Sequence, residues 1–348
     1  MADDDPQGWP ILPPEAEAEA EAEAGAGPVA GEPVWVDSLA HAGFVSVIGR
    51  PNVGKSTLVN RIVGQKVSIT SPRPNTTRRA VRGVLHRPGV QAVFVDTPGL
   101  HRPRTALGER LNEHVAEALA DLDVVVAVVD ATGPVGPGDR LVLERAVRAV
   151  ATTGGPSVAG DGSTAGGPSA AAALVVVAKI DAAGRARTLE RLTEVDAVLR
   201  AELGDGHPVE LFPLSSRTGR GVEALVEAVV QRLPPGPPYF PPDMVHDLPE
   251  AFMVAELVRE QLLRATREEL PHAIACRVVE WDGPRIRVEV VVERESQKAI
   301  VIGRGGSVLK AVGSAARRQL PPGAYLELHV VVDRRWQQRP DAIERLGY

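Results

Sequence analysis

Aromatic residues and cysteine are scarce in this chain. Phe, Trp and Tyr make up 3% of 348 residues, so Val, Leu, Ile and Ala must fill the interior of a chain that is 44% hydrophobic. Cys276 is the single cysteine. That excludes an intramolecular disulfide and a thiolate metal cluster, and fits a reducing compartment. Cys276 itself reads as a small buried hydrophobe. No apolar run approaches the ~18 residues that span a bilayer. The start, MADDDPQGWP, is acidic where a secretory signal would be basic.

The first 34 residues hold nine Asp or Glu and no Lys or Arg. The net charge of −6 therefore conceals a positive remainder, +3 once this stretch is set aside. Residues 285–339 carry eleven Lys or Arg against five Asp or Glu, a footprint suited to a polyanion. In EAEAEAEAEA every Glu falls two residues from the next, so no helical face is apolar. Residues 1–40 are expected to be a disordered acidic tail.

What the chain does have is GRPNVGKST at 49–57, which satisfies G-x-x-x-x-G-K-[ST]. It follows FVSVI, a buried-strand pattern, and opens into STLVNRIVG, apolar at helical spacing. Strand, loop and helix are the context this phosphate-binding loop needs. Its backbone N–H groups and the helix N-terminus attract phosphate oxygens. Gly49 and Gly54 allow close backbone approach. Lys55 is expected at the β- and γ-phosphates, and Ser56 at Mg²⁺.

DTPG at 96–99 follows QAVFV, a second strand pattern. Asp96 is the expected second Mg²⁺ anchor, through water, and the Gly99 N–H the expected γ-phosphate donor. Between the two motifs lies ITSPRPNTTRR (69–79), polar and carrying two prolines, with no regular structure predicted. A threonine from such a loop can cap Mg²⁺. Thr76 and Thr77 are the candidates, and Thr77 is preferred.

AKID at 178–181 follows ALVVV. The guanine-reading motif is N-K-x-D, so Ala178 stands where Asn is expected. Asp181 would accept guanine N1 and N2 protons, and the Lys179 stem would cover the base. PLSSRTGRGV (213–222) places Ser215 and Ser216 where a short loop contacts the guanine carbonyl. The nucleotide site so read comprises Gly49, Arg50, Pro51, Asn52, Val53, Gly54, Lys55, Ser56 and Thr57. It adds Asp96, Thr97, Pro98, Gly99 and Leu100, then Ala178, Lys179, Ile180, Asp181, Ser215 and Ser216. Ser56, Thr77 and Asp96 are the metal set.

Apolar strand, loop and helix alternate from 44 to 215, predicting an α/β fold with a mainly parallel sheet and ligands at strand C-terminal ends. Residues 41–232 form this first domain. TTGGPSVAGDGSTAGG interrupts it as a flexible insert, placed at 152–170. Six prolines within 233–242 suggest a semi-rigid spacer, so 233–247 is the expected linker. The second domain, 248–348, opens with an amphipathic helix at 250–269. Two strands follow near 273–281 and 285–293, then a short helix, the loop Gly303-Arg304-Gly305-Gly306, a helix and a strand. A G-x-x-G loop between helices is the KH clamp for single-stranded RNA. Lys298, Ile302, Gly303, Arg304, Gly305, Gly306, Lys310 and Arg317 are its expected RNA contacts, with Ile300, Val301 and Arg318 nearby. Trp336 could either stack a base or pack between the domains.

GRPNVGKST, TTRR, DTPG, SSRTGRGV and the KH-type ERESQKAIVIGRGGSVLK, with ERLGY at the end, together resemble the Era family of GTPases. The resemblance covers roughly residues 40–348 apart from the insert. It implies a P-loop GTPase domain followed by an α+β type II KH domain. It implies GTP and GDP as ligands with Mg²⁺, and hydrolysis in which Lys55, Asn52, Thr77 and Gly99 take part. Leu100 stands where many GTPases place a water-orienting Gln, so turnover is expected to be slow. Asn52 matches a residue that helps bind K⁺ in related GTPases, making K⁺ a further expected cofactor. The implied partners are the 3′ end of 16S rRNA and the small (30S) ribosomal subunit, whose assembly such proteins assist, and not DNA. A cytoplasmic monomer, at most peripheral on the inner face of the membrane, is the expected form. Two other readings stand beside it: a nucleotide-gated RNA-binding protein with negligible turnover, and a P-loop ATPase with an RNA-binding appendage.

Overall fold

The structure is a computed structural model describing residues 41–100, 105–118, 122–153, 172–205, 208–266 and 270–348. The expected acidic tail, and all but the first two residues of the expected insert, lie outside the described residues.

Long Val-rich runs make the first sheet. Its strands are β1 (His41–Gly49), β2 (Val81–Arg87), β3 (Val90–Asp96), β4 (Val124–Asp130), β5 (Ala172–Ala178) and β6 (Glu210–Pro213). They lie in the order β2-β3-β1-β4-β5-β6. Strand β2 is antiparallel to β3 and the other pairs are parallel. Val124 to Val129 are at most 1% exposed, as a central strand covered on both faces requires. Side chains alternate between two apolar clusters. Val45, Val47, Val124, Val126 and Val128 face α1 (Lys55–Val63) and α5 (Val222–Val230). Ile48, Val125, Ala127 and Val129 face α2 (Ala106–Glu117), α3 (Pro137–Thr153) and α4 (Ile180–Leu203). Helix α4 is broken at Gly184 (φ 75°, ψ 169°), which leaves Asp181 on a separate first turn. The functional motifs sit at the C-terminal ends of β1, β3 and β5 and just beyond β6.

The second unit runs α6 (Glu250–Ala265), β7 (Ala275–Asp282), β8 (Arg285–Val292), α7 (Glu295–Ile302), α8 (Ser307–Arg317), β9 (Tyr325–Val332) and α9 (Pro340–Arg345). Its sheet order is β7-β8-β9, with β7 antiparallel and β9 parallel to β8. This is the type II KH arrangement. The outer face of the sheet is laced with ion pairs: Arg277 with Glu289, Arg285 and Arg287 with Glu327, and Arg287 with Glu280.

Two expectations change. Helix α6 is buried all round from Met253 to Leu263 and has no solvent-facing polar stripe. Its charged residues Glu256, Arg259 and Glu260 pack against the first domain, at a separation of some 190 residues that periodicity cannot register. The proline-rich segment is not a bare spacer. Pro235 pairs with His41 and His246 with Gly83. The Gln91 side chain bonds the backbone of Tyr239 and Phe240, and Tyr239 packs on Phe44. The segment is therefore strapped to the sheet along β2 and β3.

Candidate nucleotide site and nucleic-acid loop

The loop after β1 turns back through Asn52 (φ 64°) and Gly54 (φ 108°) into α1. Lys55 is buried beneath it, donating to the carbonyls of Gly49 (3.2 Å) and Arg50 (3.1 Å). Burial lowers its pKa to about 8, partly offset by the charge of Asp96. An anion in the loop would restore the ammonium.

Ser56, Thr77 and Asp96 converge from three distant segments. The Ser56 and Thr77 hydroxyls are 2.9 Å apart. Thr77 and Ser68 donate to Asp96 Oδ2 at 3.3 and 2.7 Å. Asp96 Oδ1 is buried with no hydrogen-bond partner. Burial pushes this carboxyl above its usual range, against the pull of Lys55. Two hydroxyls beside one incompletely satisfied carboxylate fit Mg²⁺, a hard ion that keeps waters and takes the rest of its oxygens from substrate phosphates. No cluster of three or more His, Cys, Asp or Glu suited to a metal occurs among the described residues. The ion would thus depend on the nucleotide to complete its shell.

Gly99 closes this end of the site. A Cβ there would meet the Pro51 backbone at 2.6–2.7 Å, so only glycine lets the DTPG turn touch the loop. Lys179 (φ 62°) reaches over the loop to the Asn52 carbonyl (2.5 Å) and Asp130 (2.7 Å). Asp181 accepts from Arg217 Nε and Nη2 at 3.0 and 2.9 Å. Bonds from Ser215 and Arg217 hold its carboxyl below the usual range. Ser215 is buried, and its Oγ accepts from the Thr218 N–H at 3.2 Å; Ser216 beside it is half-buried.

A cavity of about 460 Å³ opens over these groups. Of the residues read from the sequence, Pro51, Asn52, Gly54, Lys55, Ser56, Thr57, Thr77, Gly99 and Lys179 line it. Others do not. Val53 and Ala178 are core residues at 1% and 2% exposure. Thr97 is buried and bonds the Val47 carbonyl. The Ile180 N–H goes to the Leu214 carbonyl. Arg50 turns away to pair with Asp139 at 2.9 Å. Leu100 is corrected: its side chain lies in the core with Val115 and Val125, and its N–H donates to Gly49, so neither reaches the cavity. Gly49 is tight for a different reason than expected, since its Cβ would strike the Val128 carbonyl at 2.7 Å.

Sequence reasoning did not find the rest of the wall: Ile69 to Pro72, Asn75 and Arg264. The loop 66–79 is docked on the second domain. Glu260 accepts from the Thr70 N–H (2.8 Å) and Lys66 (2.7 Å). Arg259, fully buried, pairs with Glu256 and donates to the Thr76 carbonyl. Arg78 donates to the Ile274 carbonyl (2.7 Å) and lies over the rings of Trp336 and Tyr348. Trp336 has no exposure and bonds the Ala273 carbonyl, so it packs between the domains and cannot stack a base. The one sequence signal for this interface was charge inside an apolar helix.

The G-x-x-G loop is the opposite kind of site. Gly303, Gly305 and Gly306 all have positive φ, and a Cβ on Gly305 or Gly306 would meet nothing within 4 Å. The loop is left-handed with a clear approach. Arg304, Lys310, Arg317 and Arg318 are exposed, and Lys298 and Ile302 half-buried. Ile300 is 56% exposed, while Val301 is in the core.

Comparison with known proteins gives the same two units. Residues 44–153 match the model of the 50S ribosome-binding GTPase family, and residues 269–337 that of the KH domain. The chain is 41% identical over 320 residues to GTPase Era of Mycobacterium tuberculosis, covering 88% of this chain and 99% of that protein. It is 40% identical to that of Mycobacterium avium, over 88% and 98%. A crystal structure of Era with MgGDPNP and nucleotides 1506–1542 of 16S ribosomal RNA superimposes with a TM-score of 0.77 at 34% identity, over 89% of this chain and 99% of that one. An Aquifex aeolicus Era variant bound to GDP·AlF4⁻ gives 0.76 at 34%, over 88% and 99%. With a P-loop domain, a type II KH domain and relatives matched almost end to end, this chain belongs to the Era family of GTPases.

Proposed function

We propose that this GTPase binds the 3′ end of 16S rRNA through its G-x-x-G loop and couples that to GTP hydrolysis during small-subunit assembly. The convergence of Ser56, Thr77 and Asp96 beside Lys55 supports this most directly, because it brings a hydroxyl of the 69–79 loop to the metal position. Ser56 and Thr77 would hold Mg²⁺ directly and Asp96 through water. The ion would draw charge from the β- and γ-phosphate oxygens as the leaving group departs. Lys55 neutralises the same oxygens, and the Gly99 N–H meets the γ-phosphate. Asp181 reads the guanine edge, Lys179 covers the base plane, and the backbone at Ser215 and Ser216 approaches the guanine carbonyl.

With Leu100 in the core, no side chain at that position can orient water. Slow intrinsic turnover follows, stimulated by K⁺ held near Asn52. The Asn52 amide already donates to the Pro72 carbonyl (2.8 Å), so this residue also ties the phosphate loop to the 69–79 loop. Around Gly303–Gly306, Lys298, Arg304, Lys310 and Arg317 meet RNA phosphates, and Ile302 contributes an apolar patch to the groove. A cytoplasmic monomer, peripheral to the membrane at most, suits this role. No helix among the described residues is long and apolar enough to cross a membrane.

Turnover of GTP by the purified chain, with Mg²⁺ in K⁺ or Na⁺ buffer and with or without the 16S 3′ RNA, tests the reading. Hydrolysis should be faster in K⁺ and lost in Lys55→Ala. The buried Leu100 favours the second reading, a nucleotide-gated RNA binder. Binding of GTP without turnover under every condition would establish it.

A further inference from the structure

We propose that Arg264 is a further catalytic residue, a guanidinium that the KH domain supplies to the phosphate end of bound GTP. Arg264 sits in the last turn of α6, outside the GTPase domain, yet it lines the same cavity as Lys55, Ser56, Thr77 and Gly99. Among the described residues, three cationic side chains line that cavity and no carboxylate does. Lys55 is committed to the loop carbonyls beneath it, and Lys179 to Asp130 and the Asn52 carbonyl. Arg264 has one ion pair among the described residues, to Glu260 at 3.4 Å, and its side chain is 51% exposed. That contact is long and half-solvated, so an anion can outcompete it.

Its mounting is firm. Four residues before it, Glu260 is buried and bound to Thr70 and Lys66. Two residues after it, the Thr266 carbonyl accepts from Arg73 at 3.1 Å. Both anchors are on the loop that carries Thr77. The guanidinium is therefore brought to the cavity by the contacts that hold this loop over the metal position. A helix C-terminus facing a triphosphate is electrostatically adverse, and a cation in the last turn reverses that sign. Neutralising the dipole alone would not require that the side chain line the phosphate cavity.

The chemistry gains from such a group. Phosphoryl transfer builds charge on the bridging and γ-phosphate oxygens, and a positioned arginine stabilises it. The bond from γ-phosphorus to the bridging oxygen breaks and leaves its electron pair on GDP, while the bond from the water oxygen forms and the water's proton passes to a phosphate oxygen. Arg264 gives and takes no proton. Because it comes from the RNA-binding domain, undocking of that domain would withdraw it.

The test uses the full chain with Mg²⁺ and rests on the GTPase reading. Arg264→Ala should slow single-turnover hydrolysis about thirtyfold to a hundredfold, below the range for a fully enclosed arginine. GDP affinity should change less than about twofold, and binding of GDP with AlF4⁻ should be lost. Arg264→Lys should restore only part of the rate, and Arg200→Ala, exposed near the far end of α4, should show none of these effects. Unaltered hydrolysis in Arg264→Ala overturns the proposal. So does an equal fall in GDP affinity and rate, which would make Arg264 a binding or folding residue. If the wild type never turns over, the GTPase reading fails instead, and retention of GDP·AlF4⁻ by Arg264→Ala decides against Arg264 on its own.

Discussion

The nucleotide site and the G-x-x-G loop are both proposed to take polyanions, and they are built in opposite ways. In the nucleotide site nearly every charge is already held by protein: Lys55 by two carbonyls, Lys179 by Asp130, Asp181 by Arg217. Its parts come from strand ends up to about 160 residues apart. The G-x-x-G loop is one continuous stretch, with exposed cations and glycines that present bare backbone. The first arrangement is pre-organised, and its selectivity lies in fixed geometry. The second relies on attraction to phosphate and on access, so its affinity must depend on salt. Between them lies the loop 66–79, one end at the metal position and the other clamped by α6.

That clamp is where the comparison breaks most easily. Arg259→Ala would leave Glu256 buried without its partner, and the loss should be about 3–5 kcal/mol in a denaturant titration. Lys310→Ala, exposed on α8 beside the G-x-x-G loop, should change stability by no more than about 0.5 kcal/mol. Equal effects from the two would mean that the buried pair is solvated in solution and the interface loose.

A carboxylate in the RNA loop sharpens the contrast. Gly305→Asp or Arg304→Glu should weaken single-stranded RNA binding by roughly 1–3 kcal/mol at low salt, with less effect as salt rises. Gly305 adds a second cost, since its φ of 58° is strained for a residue with a Cβ. GTP affinity should stay level in both variants. RNA binding that survives both would reduce the loop to a turn between α7 and α8.

The nucleotide site carries a pH response of its own. In the unliganded protein Lys55 gives up its proton near pH 8. Bound triphosphate favours the protonated form, so binding above that pH must take up a proton. GTP affinity should be flat below pH 8 and fall by up to about tenfold per pH unit above it. Calorimetry in two buffers of different ionisation heat would count the proton. No uptake at pH 9 would show that Lys55 keeps its charge in the empty site.

Much of the nucleotide site was legible in the sequence, because each motif is short, local and fixed to the end of an apolar strand. Lys55, Ser56, Asp96, Gly99 and Lys179 were assigned on that basis, and Thr77 was preferred over Thr76. What failed was direction. Leu100 and Val53 lie within motifs, but on loops beyond the strand ends, and the path of each loop turns these two side chains into the core. Contacts between the domains were not legible at all. Arg259 meets Thr76 across 183 positions, and no local pattern encodes that distance. Trp336 beside two arginines looked equally suited to a base or to packing, and only the fold brings Arg78 and Tyr348 to its ring.

The smallest expected effect concerns Ala178, where the sequence departs from N-K-x-D. Its carbonyl accepts from Ala131, and its side chain lies with the core residues Val176 and Leu214. An asparagine there would have to find partners in a nearly dry position. With guanine bound, its amide could meet the N7 edge of the base, a contact on the scale of about 1 kcal/mol. Without nucleotide, the same amide would be buried and incompletely bonded, a cost of similar size. Ala178→Asn should therefore tighten GTP and GDP together by up to about tenfold and lower the unfolding midpoint of the empty protein. Discrimination against ATP should hardly change, because the role proposed for Asp181, braced by Ser215 and Arg217, is to accept two guanine protons that adenine lacks. Asp181→Asn should instead shift preference toward XTP, whose extra carbonyl suits an amide. If Ala178→Asn leaves affinity unchanged while Asp181→Asn behaves as expected, the base is already held at its N7 edge by another group. The exposed guanidinium of Arg217, the nearest cation to Asp181, is then the first residue to replace.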